Sequence, residues 1–368
     1  MTTDSSNTAT EELYTPQRFL FMTLDPVHIG AGGYRLGRVD MTIAREPGTQ
    51  LPKIPGTSLA GATRSYAAMR YGKTEAAGQH KDLKKEQKLK CPIIYTFGTA
   101  TDTNETGTPG TGSEGPSQAG TVSIGDAHIL FFPVNSMAGP VWVSTKEIVE
   151  EAWGEGSVTP PKDGEQEIEP SDNKIVTNLN WNRDSSNQNK KLNLGWLLFT
   201  TATGLEIKPP EAIASRSEWG AIQKRIVLVN TKLFSQIVNS NLEVRTSVSI
   251  DPKTGAAAKQ ALFTYEAIPR TTWLYCDVIE DNYRKKTAAN YPFPVTQQYN
   301  SESGEDRSGA FFPNGEQWKD PLAVVRAGMR LIEYLGIGGM GTRGFGRMRL
   351  VAPQEDSNGG QKNERSQG

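Results

Sequence analysis

Alternating hydrophobic and polar positions divide the chain into short strands and two clear helices. Apolar side chains recur at every second position within residues 18–28 and 244–250, which is typical of β-strands with one buried face. Residues 57–71 and 322–335 carry apolar side chains at helical spacing. Further strands are predicted at 121–134, 226–229, 271–279 and 347–351.

Capping residues mark the ends of both predicted helices. Thr57 or Ser58 can cap the first helix, because a hydroxyl accepts a hydrogen bond from free N–H groups in the first turn. The second helix has Asp320 at its cap, Pro321 at its first position and Gly336 just after its end.

The hydrophobic pattern is interrupted by polar segments. Residues 99–120 contain no aliphatic side chain larger than alanine, no aromatic residue and no base, so they predict a disordered insertion. The expected organisation is a flexible N-terminus at 1–17, one domain over 18–353 with insertions at about 74–120 and 154–190, and a disordered tail at 354–368.

The order of these elements predicts an α+β fold. Strands and helices interleave, and the strands lie far apart in sequence, which favours a sheet with helices on one face. Residues 242–269 predict a long β-hairpin, because two extended runs flank the turn-forming DPKTG segment. No segment of 20–50 residues repeats, so a solenoid is not expected.

Composition narrows the class of protein. Hydrophobic residues make up 36% of 368 positions and mean hydropathy is −0.52, so we expect a folded body with long polar loops. No apolar run reaches the roughly 18 residues of a membrane span, and no membrane partner is expected. Two cysteines, Cys91 and Cys276, exclude a disulfide framework and a cysteine-rich zinc site. The expected location is the cytoplasm.

Charge is distributed unevenly along the chain. The net charge is −1, which by itself argues against nucleic-acid binding. However, residues 34–73 carry seven bases and two acids, and residues 321–350 carry five bases and one acid. Residues 147–172 carry nine acids and one base. Because local basic clusters bind phosphate whatever the total charge, a polyanion partner remains consistent with the sequence.

Several common catalytic patterns do not fit this sequence. Gly336, Gly338 and Gly341 match GxGxxG, but a dinucleotide site needs a strand before the loop and a helix after it, whereas the order here is reversed. His28, His80 and His128 have no second ligand at metal-binding spacing. His28 nevertheless opens a glycine-rich turn and is a candidate for catalysis.

Two glycine- and arginine-rich segments have the composition of phosphate-binding sites. In residues 336–347, glycines let the backbone approach a phosphate, and Arg343 and Arg347 supply cationic hydrogen-bonding groups. Phe345 is positioned to stack on a base. The alternative is a tight helix-to-strand turn with solvated arginines.

The second segment, residues 28–64, combines a glycine-rich turn, a basic stretch and a helix N-terminus, which is a site that binds phosphate. Its conspicuous residue is Asp40, an acid among bases that should stay ionised. Asp40 could hold hydrated Mg²⁺ against a phosphate or orient a ribose hydroxyl. The alternative is a simple ion pair with Arg38 or Arg45.

These residues together resemble the RAMP superfamily of CRISPR systems. Residues 28–64 are similar to its N-terminal signature, and GIGGMGTRGFGR is similar to its C-terminal glycine-rich loop. The hairpin at 242–269 and the segment VSIGDAHILFFPV resemble the backbone subunit of type III effector complexes, particularly the Cmr (type III-B) branch. Csm-type and type III-D subunits share the first motif.

The resemblance implies a ferredoxin-like (RRM-type) palm with a β-hairpin thumb. It implies several copies stacked on a CRISPR guide RNA, complementary target RNA, and neighbouring type III subunits that include a large polymerase/cyclase-like subunit and a small helical one. Asp40 corresponds to the acid associated with metal-dependent target cleavage (Mg²⁺ or Mn²⁺) by attack of the ribose 2′-hydroxyl. RNA contacts are expected at Gly30, Gly32, Arg38, Arg45, Ser58, Arg64, Gly338, Gly339, Thr342, Arg343, Gly344, Phe345 and Arg347, and thumb contacts at Val248, Ile250 and Phe263.

The sequence departs from the family pattern at two places. Ala60 stands where the family commonly has lysine, so Arg64 is expected to carry more of that backbone contact. Thr42 replaces the proline that follows the catalytic acid. Two other functions stay open: a guide-binding scaffold without catalysis, and an endonuclease that processes precursor guide RNA, for which His28 is the candidate general acid or base.

Overall fold

The computed structural model describes residues 13–32, 39–78, 90–99, 119–180, 191–281 and 291–353. The helices are α1 (Gly56–Tyr71), α2 (Pro92–Phe97), α3 (Lys146–Trp153), α4 (Glu211–Ala214), α5 (Ser217–Ile222), α6 (Thr231–Ser240) and α7 (Pro321–Leu335), with 3₁₀ turns at Thr74–Ala77, Pro313–Gly315 and Gly341–Arg343. The strands are β1 (Tyr14–Thr23), β2 (Lys53–Ile54), β3 (Val122–Ile124), β4 (Ala127–Val134), β5 (Val141–Ser144), β6 (Val158–Thr159), β7 (Lys162–Asp163), β8 (Gln166–Glu167), β9 (Lys174–Thr177), β10 (Lys191–Leu194), β11 (Leu197–Thr203), β12 (Glu206–Ile207), β13 (Ile226–Leu228), β14 (Glu243–Ile250), β15 (Ala257–Ala267), β16 (Trp273–Asp281) and β17 (Met348–Ala352).

One large sheet organises the described residues. Its strand order is β10-β11-β9-β13-β5-β4-β16-β1-β17, with β2 paired to β4 and β3 to β16. The four strands β4, β16, β1 and β17 pair antiparallel, whereas β13 pairs parallel with β5 and β11 pairs parallel with β9. The mixture of helices with this sheet confirms the predicted α+β class.

Helices cover both faces of the sheet. Alternate residues of β1 point to opposite sides, so Phe19 and Phe21 enter the core beneath α7, while Leu20 enters a second core. That second core includes Val149 of α3 and Trp219 of α5. The expectation of helices on one face was therefore wrong, because the chain between β5 and β13 supplies helices for the opposite face.

The ends of α1 and α7 differ in how they are capped. In α7, the Asp320 carboxylate accepts a hydrogen bond from the Ala323 N–H at 2.8 Å, and the helix ends at Gly336, as predicted. No side chain from its own first turn caps α1. Instead, the Asp126 carboxylate accepts a hydrogen bond from the Gly56 N–H at 2.7 Å and also pairs with Lys53. The predicted hydroxyl cap was wrong, because a residue 70 positions away supplies the acceptor.

Both predicted insertions contain ordered structure. Within 74–120, α2 is buried and packs against α7. Within 154–190, β9 lies inside the large sheet, and its residues Ile175 and Val176 are buried. The prediction missed α2 and β9 because their short apolar runs lie within segments of mostly polar composition. Most of 99–120 and all of 181–190 lie outside the described residues, as do 1–12 and 354–368, and β1 begins at Tyr14 within the expected flexible N-terminus.

A third core holds a buried ion pair. The Lys73 side chain is 0% exposed, and its ammonium lies 3.0 and 3.1 Å from the two carboxylate oxygens of Asp306. The Tyr71 hydroxyl donates a hydrogen bond to the same carboxylate, and the Tyr299 ring lies 4.4 Å from the ammonium. The pair therefore ties the chain after α1 to the segment that precedes α7.

The helices were compared with the length and apolar character of membrane-spanning helices. In the part of the chain that the structure describes, none of them combines the length and the apolar character that a bilayer span requires.

Candidate nucleic-acid interface

Three segments that lie far apart in sequence meet at one small hydrophobic cluster. We call it the junction cluster: the buried residues Tyr265, Ala267 and Phe345, with Met41, Phe263 and Met340 packed against them. It joins the N-terminal motif, the β14–β15 hairpin and the glycine-rich loop after α7. The motifs that suggested an RNA-binding protein therefore form one surface region.

Asp40 lies at the point where the N-terminal motif meets β15. Its Oδ2 accepts hydrogen bonds from the Thr264 N–H at 2.7 Å and from the Thr264 hydroxyl at 2.9 Å. The Asp40 N–H in turn donates to Thr264, and Met41 forms a parallel bridge with Tyr265. These contacts fix the carboxylate relative to the hairpin while leaving Asp40 exposed.

The hydrogen bonds from Thr264 also set the protonation state. The backbone N–H of Thr264, and then its hydroxyl, hold the pKa of the Asp40 carboxyl below its ordinary value. Asp40 is thus ionised at neutral pH, and both hydrogen bonds from Thr264 end on its Oδ2 rather than on its Oδ1. A lowered pKa suits a carboxylate that holds a cation better than one that removes a proton.

The surroundings of Asp40 suit a magnesium ion that is held by a single carboxylate. No group of three or more acidic, histidine or cysteine side chains suited to a metal occurs among the described residues. Mg²⁺ commonly uses one or two carboxylates and completes its shell with water and substrate phosphate. The exposed carboxylate of Asp40, whose Oδ1 is not used by Thr264, suits that arrangement.

His28 is a buried residue beneath the junction cluster. It is 5% exposed, and its Nδ1 lies 2.6 Å from the Glu266 carbonyl oxygen, so Nδ1 carries the proton. Its own carbonyl accepts a hydrogen bond from Gly339 at 3.0 Å. This placement favours a structural role over the predicted catalytic one, because RNA has little access to the ring.

The glycine-rich loop is folded tightly against the rest of the protein. Gly338 has a φ of +82°, and a Cβ there would lie 2.5 Å from the His28 carbonyl oxygen, so only glycine fits. The N–H groups of Ile337, Gly339 and Gly346 donate to carbonyls of the protein, which leaves less of the loop backbone for an anion than the sequence suggested. Gly338 and Gly339 are exposed at the surface.

Phe345 does not project from this loop. It is 2% exposed and packs edge-to-face on Tyr265 at a centroid distance of 5.3 Å, with the Arg245 guanidinium over its ring. The predicted stacking of Phe345 on a base was wrong, because the side chain serves the junction cluster.

Arg343 and Arg347 differ in how far their guanidinium groups are available to bind a phosphate. Arg343 is exposed and lies over the Phe263 ring at 5.2 Å, and no acidic side chain among the described residues pairs with it. Arg347 forms two hydrogen bonds to Asp25, so part of its charge is neutralised. Thr342 and Gly344 are exposed beside Arg343. The accessible cation of the loop is therefore Arg343.

The N-terminal motif contributes fewer free cations than predicted. Arg45 is held by Glu266 at 2.7 Å, Asn239 at 3.0 Å and the Ile43 carbonyl at 3.1 Å. Gly30 and Gly32 are exposed, whereas Arg38 lies outside the described residues. Arg45 thus braces the turn rather than presenting a free guanidinium.

Arg64 and Ser58 on α1 also differ from expectation. The Arg64 guanidinium donates to the carbonyls of Ala76 and Gly98, and burial lowers its pKa. Ser58 is half-buried in the first turn, where the Asp126 carboxylate already occupies the helix N-terminus. The predicted phosphate contacts at these positions are therefore disfavoured, because internal acceptors take their place.

The β14–β15 hairpin presents apolar side chains to solvent. Val248 and Ile250 are exposed on β14, and Leu262 is exposed opposite Val248. Phe263 is partly buried at the junction cluster. An exposed apolar stripe on a two-stranded hairpin is typical of a surface that contacts another molecule.

Sequence reasoning missed Thr264 and an arginine-lined cleft. Thr264 is one polar residue in an extended run, and nothing in the local pattern indicates that it holds Asp40. The cleft, of about 650 Å³, collects side chains from five separate segments. Its charged and aromatic lining consists of Asp25, Glu243, Arg245, Arg270, Glu333, Tyr334, Arg347 and Arg349.

Known proteins resemble this chain in sequence and in fold. The family model of the RAMP superfamily matches residues 20–349. A curated relative, the CRISPR system Cmr endoribonuclease Cmr4 of Pyrococcus furiosus, is 26% identical over 345 residues, which cover 92% of this chain and 96% of that protein. The cryo-EM structure of type III-B Cmr-beta bound to cognate target RNA contains a similar chain (TM-score 0.54, 13% identity, 92% of this chain and 98% of that one). The cryo-EM structure of the apo state of type III-B Cmr-beta also contains a similar chain, with a TM-score of 0.52 and 14% identity, over 92% of this chain and 96% of that one.

Proposed function

The chain belongs to the RAMP superfamily, and on this premise we propose that it is a backbone subunit of a type III-B CRISPR effector complex that binds guide RNA and cleaves paired target RNA at Asp40. The observation that carries the proposal is the exposed, ionised Asp40, which Thr264 holds where the N-terminal motif meets β15, next to Met41 of the junction cluster. The curated relative is named an endoribonuclease, which supports the same reaction class. Cleavage of complementary RNA by the guide-loaded complex with Mg²⁺ tests it.

The palm of this subunit is proposed to be ferredoxin-like. The elements β1, α1, β4, β16, α7 and β17 follow one another as βαββαβ, and the four strands stand in the order β17-β1-β16-β4. All three pairings are antiparallel, and α1 and α7 pack together on one face. This order and orientation support an RRM-type core that the other strands extend beyond β4.

Guide RNA is proposed to follow the surface around the glycine-rich loop. The exposed Arg343 supplies a charge for a phosphate, and the neighbouring glycines let the RNA backbone approach closely. The hairpin is proposed to act as the thumb that interrupts the guide–target duplex. Further copies of the chain, the large polymerase/cyclase-like subunit and the small helical subunit are the proposed protein partners.

Replacing Arg343 with alanine is expected to weaken guide binding for every guide sequence. Phosphate contacts carry no sequence information, and each one lost should reduce the slope of log affinity against log salt by about 1. A salt titration of RNA binding measures both quantities. Lys232→Ala, which removes an exposed base on α6, is the matched control and should leave the slope unchanged. An unchanged slope in Arg343→Ala would remove this residue from the interface.

The proposed reaction is attack by a ribose 2′-hydroxyl on the adjacent phosphate. A bond forms between the 2′-oxygen and phosphorus, the bond from phosphorus to the 5′-oxygen of the next nucleotide breaks, and the proton of the 2′-hydroxyl is lost while the 5′-oxygen gains one. The products are a 2′,3′-cyclic phosphate and a 5′-hydroxyl. DNA, which has no 2′-hydroxyl, should not be cut.

Asp40 is the residue proposed to hold a divalent metal, Mg²⁺ or Mn²⁺, through the Oδ1 that Thr264 does not use. Such an ion would neutralise charge that develops on the phosphate. The chain itself contributes a fixed negative charge, because Thr264 orients the carboxylate and keeps it ionised.

Replacing Thr264 with valine is expected to move the acid limit of cleavage to higher pH. Loss of the hydroxyl bond raises the pKa of Asp40 toward its ordinary value, so the ionised form is lost at a higher pH as acid is added. At neutral pH the carboxylate stays ionised, and a smaller effect should remain from looser positioning. The pH–rate profile of the guide-loaded complex measures the shift.

Thr264→Ser is the matched control, because it retains the hydroxyl and should retain the wild-type profile. If the valine and wild-type profiles coincide while their rates also agree, Thr264 does not position the reacting carboxylate.

A scaffold without catalysis is the second candidate. It is favoured by the same bonds between Asp40 and Thr264, because a carboxylate that accepts two hydrogen bonds also serves to attach the N-terminal motif to β15. Under this function, the complex would bind complementary RNA without cutting it.

A further inference from the structure

The β14–β15 hairpin is a two-stranded sheet of its own, so its position depends on the contacts near its base. The Thr264 carbonyl accepts hydrogen bonds from the Asp40 and Met41 N–H groups, each at 3.1 Å. Nearer the base, Ile268 exchanges two backbone hydrogen bonds with Val27. Because a two-stranded hairpin is only marginally stable alone, these bonds largely decide where the hairpin lies relative to Asp40.

Thr264 lies on the tip side of these backbone contacts, and it is also the residue that holds the candidate acid. Its N–H and hydroxyl donate to Oδ2 of Asp40 at 2.7 and 2.9 Å. The end of a hydrogen-bonded segment opens more readily than its middle. A restraint on the tip side of Thr264 would therefore keep the bonds to Asp40 closed.

Phe263, the next residue toward the tip, supplies such a restraint. The Arg343 guanidinium of the glycine-rich loop lies over the Phe263 ring at 5.2 Å, and the ring also packs on Tyr265 at a centroid distance of 5.8 Å. Side chains alternate along a strand, so Phe263 faces the loop while the adjacent Thr264 faces away from it. Contacts thus run without a break from Arg343 through Phe263 and Thr264 to Asp40.

A second contact of the same kind joins the loop and the hairpin in the opposite sense. The Arg245 guanidinium of β14 lies over the Phe345 ring of the loop at 4.8 Å. Phe345 is buried, so this contact is shielded from a ligand, whereas Arg343 is exposed and Phe263 is half-buried. The contact between Arg343 and Phe263 is therefore the one of the two that a bound RNA can reach.

A guanidinium can hold an aromatic ring and a phosphate at the same time. Its flat face stacks on the ring, while its N–H groups point outward in the plane and can donate to phosphate oxygens. A phosphate bound to Arg343 would restrict the motion of this side chain. Because Arg343 lies on Phe263, the restriction would extend to Thr264.

We propose that Phe263 is a positioning residue that transmits the binding of an RNA phosphate at Arg343 to the placement of Asp40. The inference rests on the proposed function, which assigns guide RNA to Arg343 and cleavage to Asp40, and it adds a physical link between the two. Guide loading would then complete the cleavage site, because Thr264 holds Asp40 more firmly once Arg343 is fixed.

Phe263→Leu tests this link in the guide-loaded complex, because leucine keeps an apolar side chain and removes the ring face. At saturating target RNA and Mg²⁺, the single-turnover cleavage rate should fall by roughly fivefold, while target affinity stays at the wild-type value. Phe263→Tyr keeps the ring face and should cut at the wild-type rate. Equal rates in wild type and Phe263→Leu would overturn the proposal.

Hydrogen exchange of the peptide that contains the Thr264 amide gives a readout that does not depend on cleavage. Saturating guide RNA should slow this exchange in wild type and in Phe263→Tyr, and the slowing should be lost in Phe263→Leu although the guide stays bound. Equal slowing in all three proteins would contradict the link. If the wild-type complex does not cut but the exchange depends on the ring as expected, the cleavage function fails while the link between Arg343 and Thr264 stands.

Discussion

Replacing Asp40 with alanine is expected to abolish target-RNA cleavage by the guide-loaded complex while guide binding persists. The carboxylate is the fixed negative charge of the proposed site, and loss of a group that acts directly on the reaction typically costs about 10²–10⁴ in rate. Guide binding should persist because phosphate contacts are proposed at Arg343 rather than at Asp40. Cleavage is measured at equal guide occupancy with Mg²⁺.

Asp40→Asn separates charge from shape in the same experiment. The amide oxygen can still accept hydrogen bonds from Thr264, so the attachment of the N-terminal motif to β15 is retained while the charge is removed. Asp172→Asn, a neutralised carboxylate in an exposed loop, is the matched control and should cut normally. If Asp40→Ala and Asp40→Asn both cut at the wild-type rate, Asp40 is structural and cleavage depends on other residues.

Replacing Lys73 with methionine is expected to lower the free energy of unfolding by about 3–5 kcal/mol, the largest stability effect that we predict. The variant leaves the Asp306 carboxylate in the third core without its cationic partner, and that side chain is only 5% exposed. An uncompensated buried charge costs more than the loss of one ion pair at the surface. Denaturant unfolding followed by tryptophan fluorescence measures the change, and Trp318 reports from the same core.

Two further variants test this explanation. Lys73→Met combined with Asp306→Leu removes both charges and should recover much of the lost stability, because neither group is then left uncompensated. Lys146→Met breaks partly exposed ion pairs with Glu167 and Glu169 and should cost no more than about 1 kcal/mol. A double variant as unstable as Lys73→Met would show that packing around Lys73, rather than charge, decides the loss.

The parts of the fold that depend on neighbouring residues in sequence were predictable. The α7 helix was predicted with its cap and its end, because Asp320, Pro321 and Gly336 act within one turn of the helix. The β1 strand was recognised from its apolar side chains, but it spans Tyr14–Thr23 rather than 18–28, and both of its faces are buried where one was expected. In contrast, β9 was hidden in a polar segment, because a strand of four residues needs neighbours on both sides to be stable.

The candidate site was predictable in type but not in arrangement. The glycine-rich and arginine-rich motifs indicated a polyanion, and Asp40 stood out as an acid among bases. The sequence could not show that Arg45 and Arg64 are engaged by internal acceptors, or that Phe345 is buried. The availability of a cation depends on which carboxylates and carbonyls the fold brings to it, and those lie tens to hundreds of residues away.

The sequence by itself determined the α+β class, the positions of the two long helices, the membership of the RAMP superfamily and the candidate acid. Only the tertiary structure decided that Thr264 holds Asp40, that Asp126 caps α1, and that five separate segments line the arginine-lined cleft. The physical reason is the distance along the sequence over which each interaction acts. Helix caps and alternation act over a few residues, whereas hydrogen-bond partners and clefts are set by segments that meet only after the chain has packed.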